Sequence, residues 1–381
     1  MRTLNEGIGR LKILTLNHEF PPVGGGASGV TLELCKSLVR LGHRVDVVTM
    51  HYGDLPVSER IEGVNVCRTW AIRKRPDIGH LHELATYLPG ALRTAVQLCR
   101  RNQYDIIHCH FMVPGAPLAW LVSRRTKIPM VVTCHGSDVP GHNPERFRLA
   151  HRALLPAWKF LARRCMIAAP SEYLRRLILT NCPEADVTVI PNGINDAFRP
   201  GSKEKRILLA GRIVQSKGFQ YAIEALSGLP PEWKVDIAGD GTYLEELKSL
   251  AGRAGVAAVF HGWLDRSDAG LRELFAKSSI FVFPSEAENF PTVLLEAMSA
   301  GMAIITSNAG GCPEVVGEAA MLVPPRDPAA VRRCLDQLIQ NPSLMEQLSA
   351  AGIERAARFS WQSTASRYVQ FYQDSMRKRQ K

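Results

Sequence analysis

The sequence predicts an α/β protein built as two doubly wound halves, each a mostly parallel sheet with helices on both faces. Three observations predict it. Short apolar runs alternate with stretches of helical spacing along the whole chain, the pattern of parallel strands joined by helices. That pattern restarts near Arg206, after a polar, breaker-rich stretch at 198–203. And 381 residues exceed one ordinary core and fit two domains of roughly 150–200 residues each. The expected domains are 1–197 and 204–359, with the linker between them.

Strands in the first half are expected at 11–17, 44–50, 64–68, 105–108, 128–134, 165–169 and 187–190. Helices fill the gaps at 28–41, 82–101, 115–124, 144–164 and 171–180; in the first of them Val30, Leu34, Leu38 and Leu41 recur at helical spacing. Ligands of such sheets sit at the carboxyl ends of strands, so the residues there carry the chemistry. After the first strand comes H-E-F-P-P-V-G-G-G-A, whose Gly25 and Gly26 let the backbone approach a ligand and turn N–H groups toward phosphate. The three glycines lack the G-x-G-x-x-G spacing of a dinucleotide site. His110 follows one strand, and His135-Gly136-Ser137-Asp138 follows another. Asp138 either hydrogen-bonds an acceptor or caps the next segment. The basic run 140–152 is either an acceptor or lipid-headgroup contact or a solvated helix face. Asn192-Gly193 closes the first half as a turn, facing the ligand or serving as a hinge.

In the second half a strand at 206–210 leads into Gly211-Arg212 and then Lys217-Gly218 before a helix at 219–226. A glycine, an arginine and a lysine at a strand-to-helix turn make a cationic pocket for phosphate. No Ser or Thr follows the lysine in the order of a Walker motif. Strands follow at 234–238, ending in Gly239-Asp240-Gly241, which allows nucleotide approach or is a plain turn, and at 303–306, followed by Gly310-Gly311, which suit backbone contact with phosphate or a sugar. Trp263 is expected in the core, with a base contact as the other reading. Helices close the chain at 329–339, 343–359 and 363–376, the first capped by Asp327.

The second half is organised around F-V-F-P-S-E-A-E-N-F-P-T-V-L-L-E-A-M-S-A-G at 281–301. A buried strand ends at Pro284, an acidic loop follows, and a helix opens near Pro291, where proline's missing N–H is not needed. Thr292, Val293 and Leu294 then offer N–H groups at the positive end of a helix dipole, an anion site. Glu288 and Glu296 bracket it, and a carboxylate suits sugar hydroxyls. Glu286 is a further acid without an assigned role.

Composition narrows the function. With 46% hydrophobic and 22% charged residues the chain is an ordinary globular protein, and no stretch has the ~18 apolar residues that span a bilayer. The N-terminus reads as a first strand rather than a leader. Nine scattered cysteines without a C-x-x-C pair point to reduced thiols in the cytoplasm; they do not indicate a metal, and the sequence has no D-x-D motif. Residues 1–200 hold 26 Lys/Arg against 16 Asp/Glu, and the rest 21 against 20. That asymmetry suggests an anionic partner for the first half, such as the inner face of a membrane. No basic platform interleaved with aromatics suggests nucleic acid.

The acidic stretch resembles the E-x7-E region of retaining glycosyltransferase family 4, and other segments match in family order. They are the P-P-x-G-G loop, the T-x-H-G segment at His135, V-I-P-N-G-I at 189–194, G-R-x-x-x-x-K-G at 211–218 and G-G-x-P-E at 310–314. The resemblance implies the GT-B fold: two facing Rossmann-like domains, a cleft between them, and a C-terminal helix at 360–381 crossing back to the first. It implies sugar transfer from a UDP- or GDP-sugar to a hydroxyl acceptor, a lipid-linked or cell-surface polysaccharide intermediate, with retention and without metal or cofactor. His135, Arg212, Lys217 and Glu288 are then catalytic. Gly25, Gly26, Asn192, Gly211, Asn289, Phe290, Pro291, Thr292, Val293 and Glu296 bind the donor, and His110 and Asp138 the acceptor. The sequence departs from the family's E-G-F-G, having Glu288-Asn289-Phe290-Pro291, which leaves the donor sugar open. A same-fold nucleotide-sugar epimerase or glucan synthase is the alternative.

Overall fold

The structure, a computed structural model, describes residues 9–76, 79, 81–142, 144–194, 198–266 and 268–380. Residues 1–8 and 195–197 of the expected first domain lie outside these. The chain forms two compact units, one of residues 1–191 with 361–381 and one of residues 192–360.

In chain order the first unit contains β1 (Lys12–Leu16), α1 (Gly26–Arg40), β2 (Arg44–Met50), β3 (Ser58–Ile61), β4 (Val64–Thr69), α2 (Leu81–Arg101) and β5 (Ile106–His110). It continues through α3 (Gly115–Thr126), β6 (Met130–Thr133), α4 (Pro144–Ala162), β7 (Met166–Ala169), α5 (Glu172–Asn181) and β8 (Asp186–Val189). The strands form one sheet in the order β3-β4-β2-β1-β5-β6-β7-β8, parallel except that β3 pairs antiparallel with β4. The inner strands β5, β6 and β7 are buried at every position, as a sheet covered on both faces requires. Alternate residues serve opposite faces: Leu14 and Leu16 of β1 join one apolar cluster and Ile13 the other.

The second unit contains β9 (Glu204–Ala210), α6 (Phe219–Leu226), β10 (Lys234–Ala238), α7 (Leu244–Arg253), β11 (Ala258–Gly262), α8 (Ala269–Lys277), β12 (Ser278–Phe283) and α9 (Thr292–Ser299). It ends with β13 (Ala303–Ser307), α10 (Cys312–Val316), β14 (Ala320–Val323), α11 (Pro328–Gln340) and α12 (Pro342–Ala356). All six strands are parallel, in the order β11-β10-β9-β12-β13-β14. The breaker-rich stretch at 198–203 belongs to this unit: Phe198 packs on Phe275 with ring centroids 4.6 Å apart and tilted, and Lys203 donates to the carbonyls of Ser278 (2.8 Å) and Ala300 (2.6 Å).

The last helix, α13 (Trp361–Gln380), returns to the first unit and packs on α1. Trp361, Ala365, Tyr368, Val369 and Tyr372 complete the apolar cluster to which Val30, Leu34 and Leu38 of α1 belong. No helix among the described residues is long and apolar enough to cross a membrane.

Strand order fixes where chemistry can gather. In each sheet the chain runs outward from one strand in both directions, so that strand and its neighbour open a crevice at their carboxyl ends. The pairs are β1 with β5 in the first unit and β9 with β12 in the second.

Candidate active site

At the β9/β12 crevice two loops meet. After β9, Gly211 takes φ +144° and Arg212 is exposed, with no ion pair among the described residues. A 3-10 turn over Gln215–Lys217 then presents Lys217, whose Nζ lies 5.4 Å from the Phe283 ring. After β12, Glu288 is buried, ion-pairs with Lys217 and accepts from Ser285 Oγ at 2.8 Å. The two loops are tied directly, since Glu286 N–H donates to Ser216 O at 2.8 Å. Glu286 itself receives a two-pronged contact from Arg326 (2.6 and 2.8 Å) and the Tyr221 hydroxyl (3.1 Å). Its role is to brace the loop.

The N-terminus of α9 has no side-chain cap. Leu294 N–H is used by Pro291 O at 3.1 Å, which corrects the expectation that three N–H groups are open there; Thr292 and Val293 remain. The unforeseen member is Arg266. It donates to Thr292 Oγ1 at 2.8 Å and ion-pairs with Glu296 at 2.9 Å. Glu296 is buried, and burial raises its carboxyl above the ordinary range while Arg266 opposes the rise. Arg266 sits in a loop with no recognisable motif, so only its position reveals it.

Several residues expected at the ligand are packed against their own unit. Phe290 meets Phe359 edge to face, ring centroids 5.7 Å apart, against the core, and Pro291 is buried. A Cβ on Gly311 would lie 1.7 Å from Asn289 O, and one on Gly239 would lie 1.9 Å from Gly211 O. Those glycines let neighbouring loops touch. Trp263, expected in the core, is 67% exposed. Asn192 is buried at the first residue of the second unit.

The β1/β5 crevice of the first unit gathers the other set. Gly25 caps α1, and its N–H donates to the Glu19 carboxylate at 3.3 Å, so an internal acid already occupies part of the glycine turn. Nothing stands within 4 Å of where a Gly26 Cβ would be. β5 runs on through His110, which is fully buried rather than set in the loop beyond the strand. His110 Nδ1 lies 2.9 Å from His135 Nε2. His18 and Phe111 close over them, with Phe111 4.9 Å from the His18 ring and 4.7 Å from that of His135. Phe111 holds φ +69°, a conformation that costs a bulky residue about 1–3 kcal/mol. Asp138 is spent as a clamp, accepting the N–H groups of Met112 (2.6 Å), His135 (2.9 Å) and Gly136 (3.0 Å). Asp138 is thus engaged with backbone N–H groups, and the one unpartnered nitrogen of His110, Nε2, is buried.

A cationic turn beside an open helix N-terminus, with a carboxylate at either side, can hold a diphosphate and the hydroxyls of groups attached to it. Two α/β units with such a site define a nucleotide-sugar-dependent transferase of GT-B architecture. The description "Glycosyl transferases group 1" matches residues 194–355, and "Glycosyltransferase Family 4" matches residues 24–198. The chain is 30% identical to an uncharacterised glycosyltransferase of Methanocaldococcus jannaschii, over 96% of this chain and 99% of that one. Its fold is similar to that of sucrose-phosphate synthase from Thermosynechococcus elongatus, with a TM-score of 0.85 at 21% identity, covering 96% and 99% of the two chains. It is also similar to Anabaena HepE, solved with UDP-glucose, with a TM-score of 0.77 at 19% identity, covering 96% and 100%. The chain belongs to glycosyltransferase family 4. It is a retaining hexosyltransferase that moves a sugar from a nucleotide-sugar donor.

Proposed function

We propose that the donor is a UDP- or GDP-sugar whose diphosphate lies against Arg212, Lys217 and the Thr292 end of α9. The observation that carries this reading is the Lys217–Glu288 pair at the crevice of the second sheet. As the glycosidic bond breaks, negative charge gathers on the leaving diphosphate. Fixed cations and N–H dipoles aimed at that charge stabilise the transition state more than the ground state. Glu288 holds hydroxyls of the donor sugar and Glu296 those of the ribose. His135 orients the sugar, and a phosphate oxygen takes the acceptor's proton. Gly25 and Gly26 of the α1 turn are donor-binding residues, where a bound phosphate oxygen displaces the Glu19 carboxylate. The residues present supply this charge without a metal.

The acceptor is a hydroxyl of a lipid-linked or cell-surface polysaccharide intermediate, reached at the inner face of the cell membrane. Charge and exposure support that. The first unit holds 30 Lys/Arg against 16 Asp/Glu, the second 17 against 20. Residues 146–164, on and just beyond α4, contain six Lys/Arg and no acid, while Leu149 is 79% exposed and Phe160 40%.

The experiment is product analysis with UDP-, GDP- and ADP-sugars, with and without a membrane extract as acceptor. The reading expects acceptor-dependent release of the nucleoside diphosphate and a product of unchanged anomeric configuration. Conversion of the donor's own sugar without any acceptor would instead make the protein an epimerase.

A further inference from the structure

At the β1/β5 crevice a chain of buried and part-buried hydrogen bonds favours one placement of protons. Glu19 N–H can only donate, so the Asn17 atom 3.0 Å from it is Oδ1, and Asn17 Nδ2 is the donor to Thr31 Oγ1 at 2.8 Å. The single hydroxyl proton of Thr31 goes to the Ala27 carbonyl at 2.8 Å, a shorter contact than the 3.3 Å to His110 Nδ1 and one in which only the hydroxyl can donate. Thr31 Oγ1 therefore has only a lone pair to offer His110 Nδ1, 3.3 Å away. His110 must carry its proton on Nδ1. That same nitrogen lies 2.9 Å from His135 Nε2, which has to accept.

We infer that His110 is a positioning residue that locks His135 as the neutral tautomer protonated on Nδ1, making His135 a fixed hydrogen-bond donor and not a base. Nothing among the described residues takes the Nδ1–H of His135, and the residue as a whole is partly exposed. What that N–H meets, a sugar or phosphate oxygen, rests on the reading above. The tautomer does not.

The surroundings hold both rings uncharged. Burial drives His110 well below the ordinary histidine range, with His108, His135 and His18 adding to the effect. Burial, then His18, pushes His135 down to about 3. His108 is itself pinned between the Tyr372 hydroxyl and Thr133 Oγ1, each at 2.8 Å. The one carboxylate bonded to this segment, Asp138, faces the His135 backbone N–H. The remaining nitrogen, His110 Nε2, is buried and unpartnered; in this tautomer it is a bare lone pair.

The test is imidazole nitrogen NMR on the full-length, ligand-free protein carrying labelled histidine. The expected result is a His135 with Nδ1 protonated and Nε2 bare, unchanged from about pH 5.5 to 8, a range that spans the ordinary histidine pKa. In His110→Ala the His135 signals should shift to a tautomer mixture and begin to titrate. In His110→Asn, whose amide N–H takes the place of Nδ1–H, the wild-type pattern should return, and kcat should recover with it. A wild-type His135 protonated on Nε2, or one that titrates near pH 6.5, overturns the inference. Because the wild-type spectrum decides, an unfolded alanine variant leaves the test intact. The spectrum needs no donor or acceptor, so a failure here is distinguishable from a failure of sugar transfer.

Discussion

Lys217 and Glu288 hold each other in the structure, and each is mostly buried. Removing either would leave a charge without its partner in a low-dielectric setting, the costly way to break such a pair. In the proposed reaction the donor exchanges this pairing for two others: diphosphate on the lysine and sugar hydroxyls on the glutamate. Arg266 plays the corresponding part for Glu296. Burial already raises the Glu296 carboxyl, so its ionised form is lost at a higher pH than that of an ordinary glutamate as pH falls. Removing Arg266 raises it further. Arg266→Ala should therefore raise the donor KM roughly tenfold, the ~1.4 kcal/mol scale of a lost charge-assisted hydrogen bond. The acid limb of the KM profile should move to higher pH. Arg266→Lys should restore much of both, and an unmoved limb with an unchanged KM would show that Glu296 does not meet the donor.

At the scale of elements, strongly patterned segments were legible from the sequence. The buried runs of β5, β6, β7 and β13 and the 219–226 helix read clearly because burial on both faces or a clear helical stripe leaves few alternatives. The edge strand β3, S-E-R-I, was not legible: half of it faces solvent, so it lacks the apolar run. Helices α7, α8 and α10 also escaped, the last being only five residues long. The G-R-x-x-x-x-K-G turn and the acidic loop could be placed because both follow strands. What could not be read was which glycines serve a ligand. Gly311 and Gly239 look like ligand glycines in sequence, yet each faces a carbonyl of the next loop. Whether a Cβ meets solvent or a neighbouring loop depends on contacts between distant segments. Arg266 and Thr31 stayed hidden for the same reason.

For the whole molecule the units divide the charge more sharply than the halves of the sequence do, because α13 and the residue after it bring five further Lys/Arg to the first unit. A lipid surface carrying anionic headgroups contributes on the order of 1 kcal/mol per Lys or Arg close to it. The protein should float with phosphatidylglycerol-containing vesicles at low salt and be released as salt rises. Leu149→Asp with Phe160→Asp should weaken that flotation about tenfold. Salt-insensitive or absent flotation would remove the membrane from the account.

The central claim is that the β9/β12 crevice holds a nucleotide sugar by its diphosphate. A thermal-shift series with UDP, GDP, ADP and their sugars, on wild type and on Lys217→Ala, tests it most directly. A ligand that binds only the folded state at about a hundred times its Kd adds roughly 2.7 kcal/mol, a rise of several degrees in Tm. The account predicts that rise for one base with the wild type and its loss in Lys217→Ala. A rise of equal size in the variant, or none with any nucleotide, would contradict it.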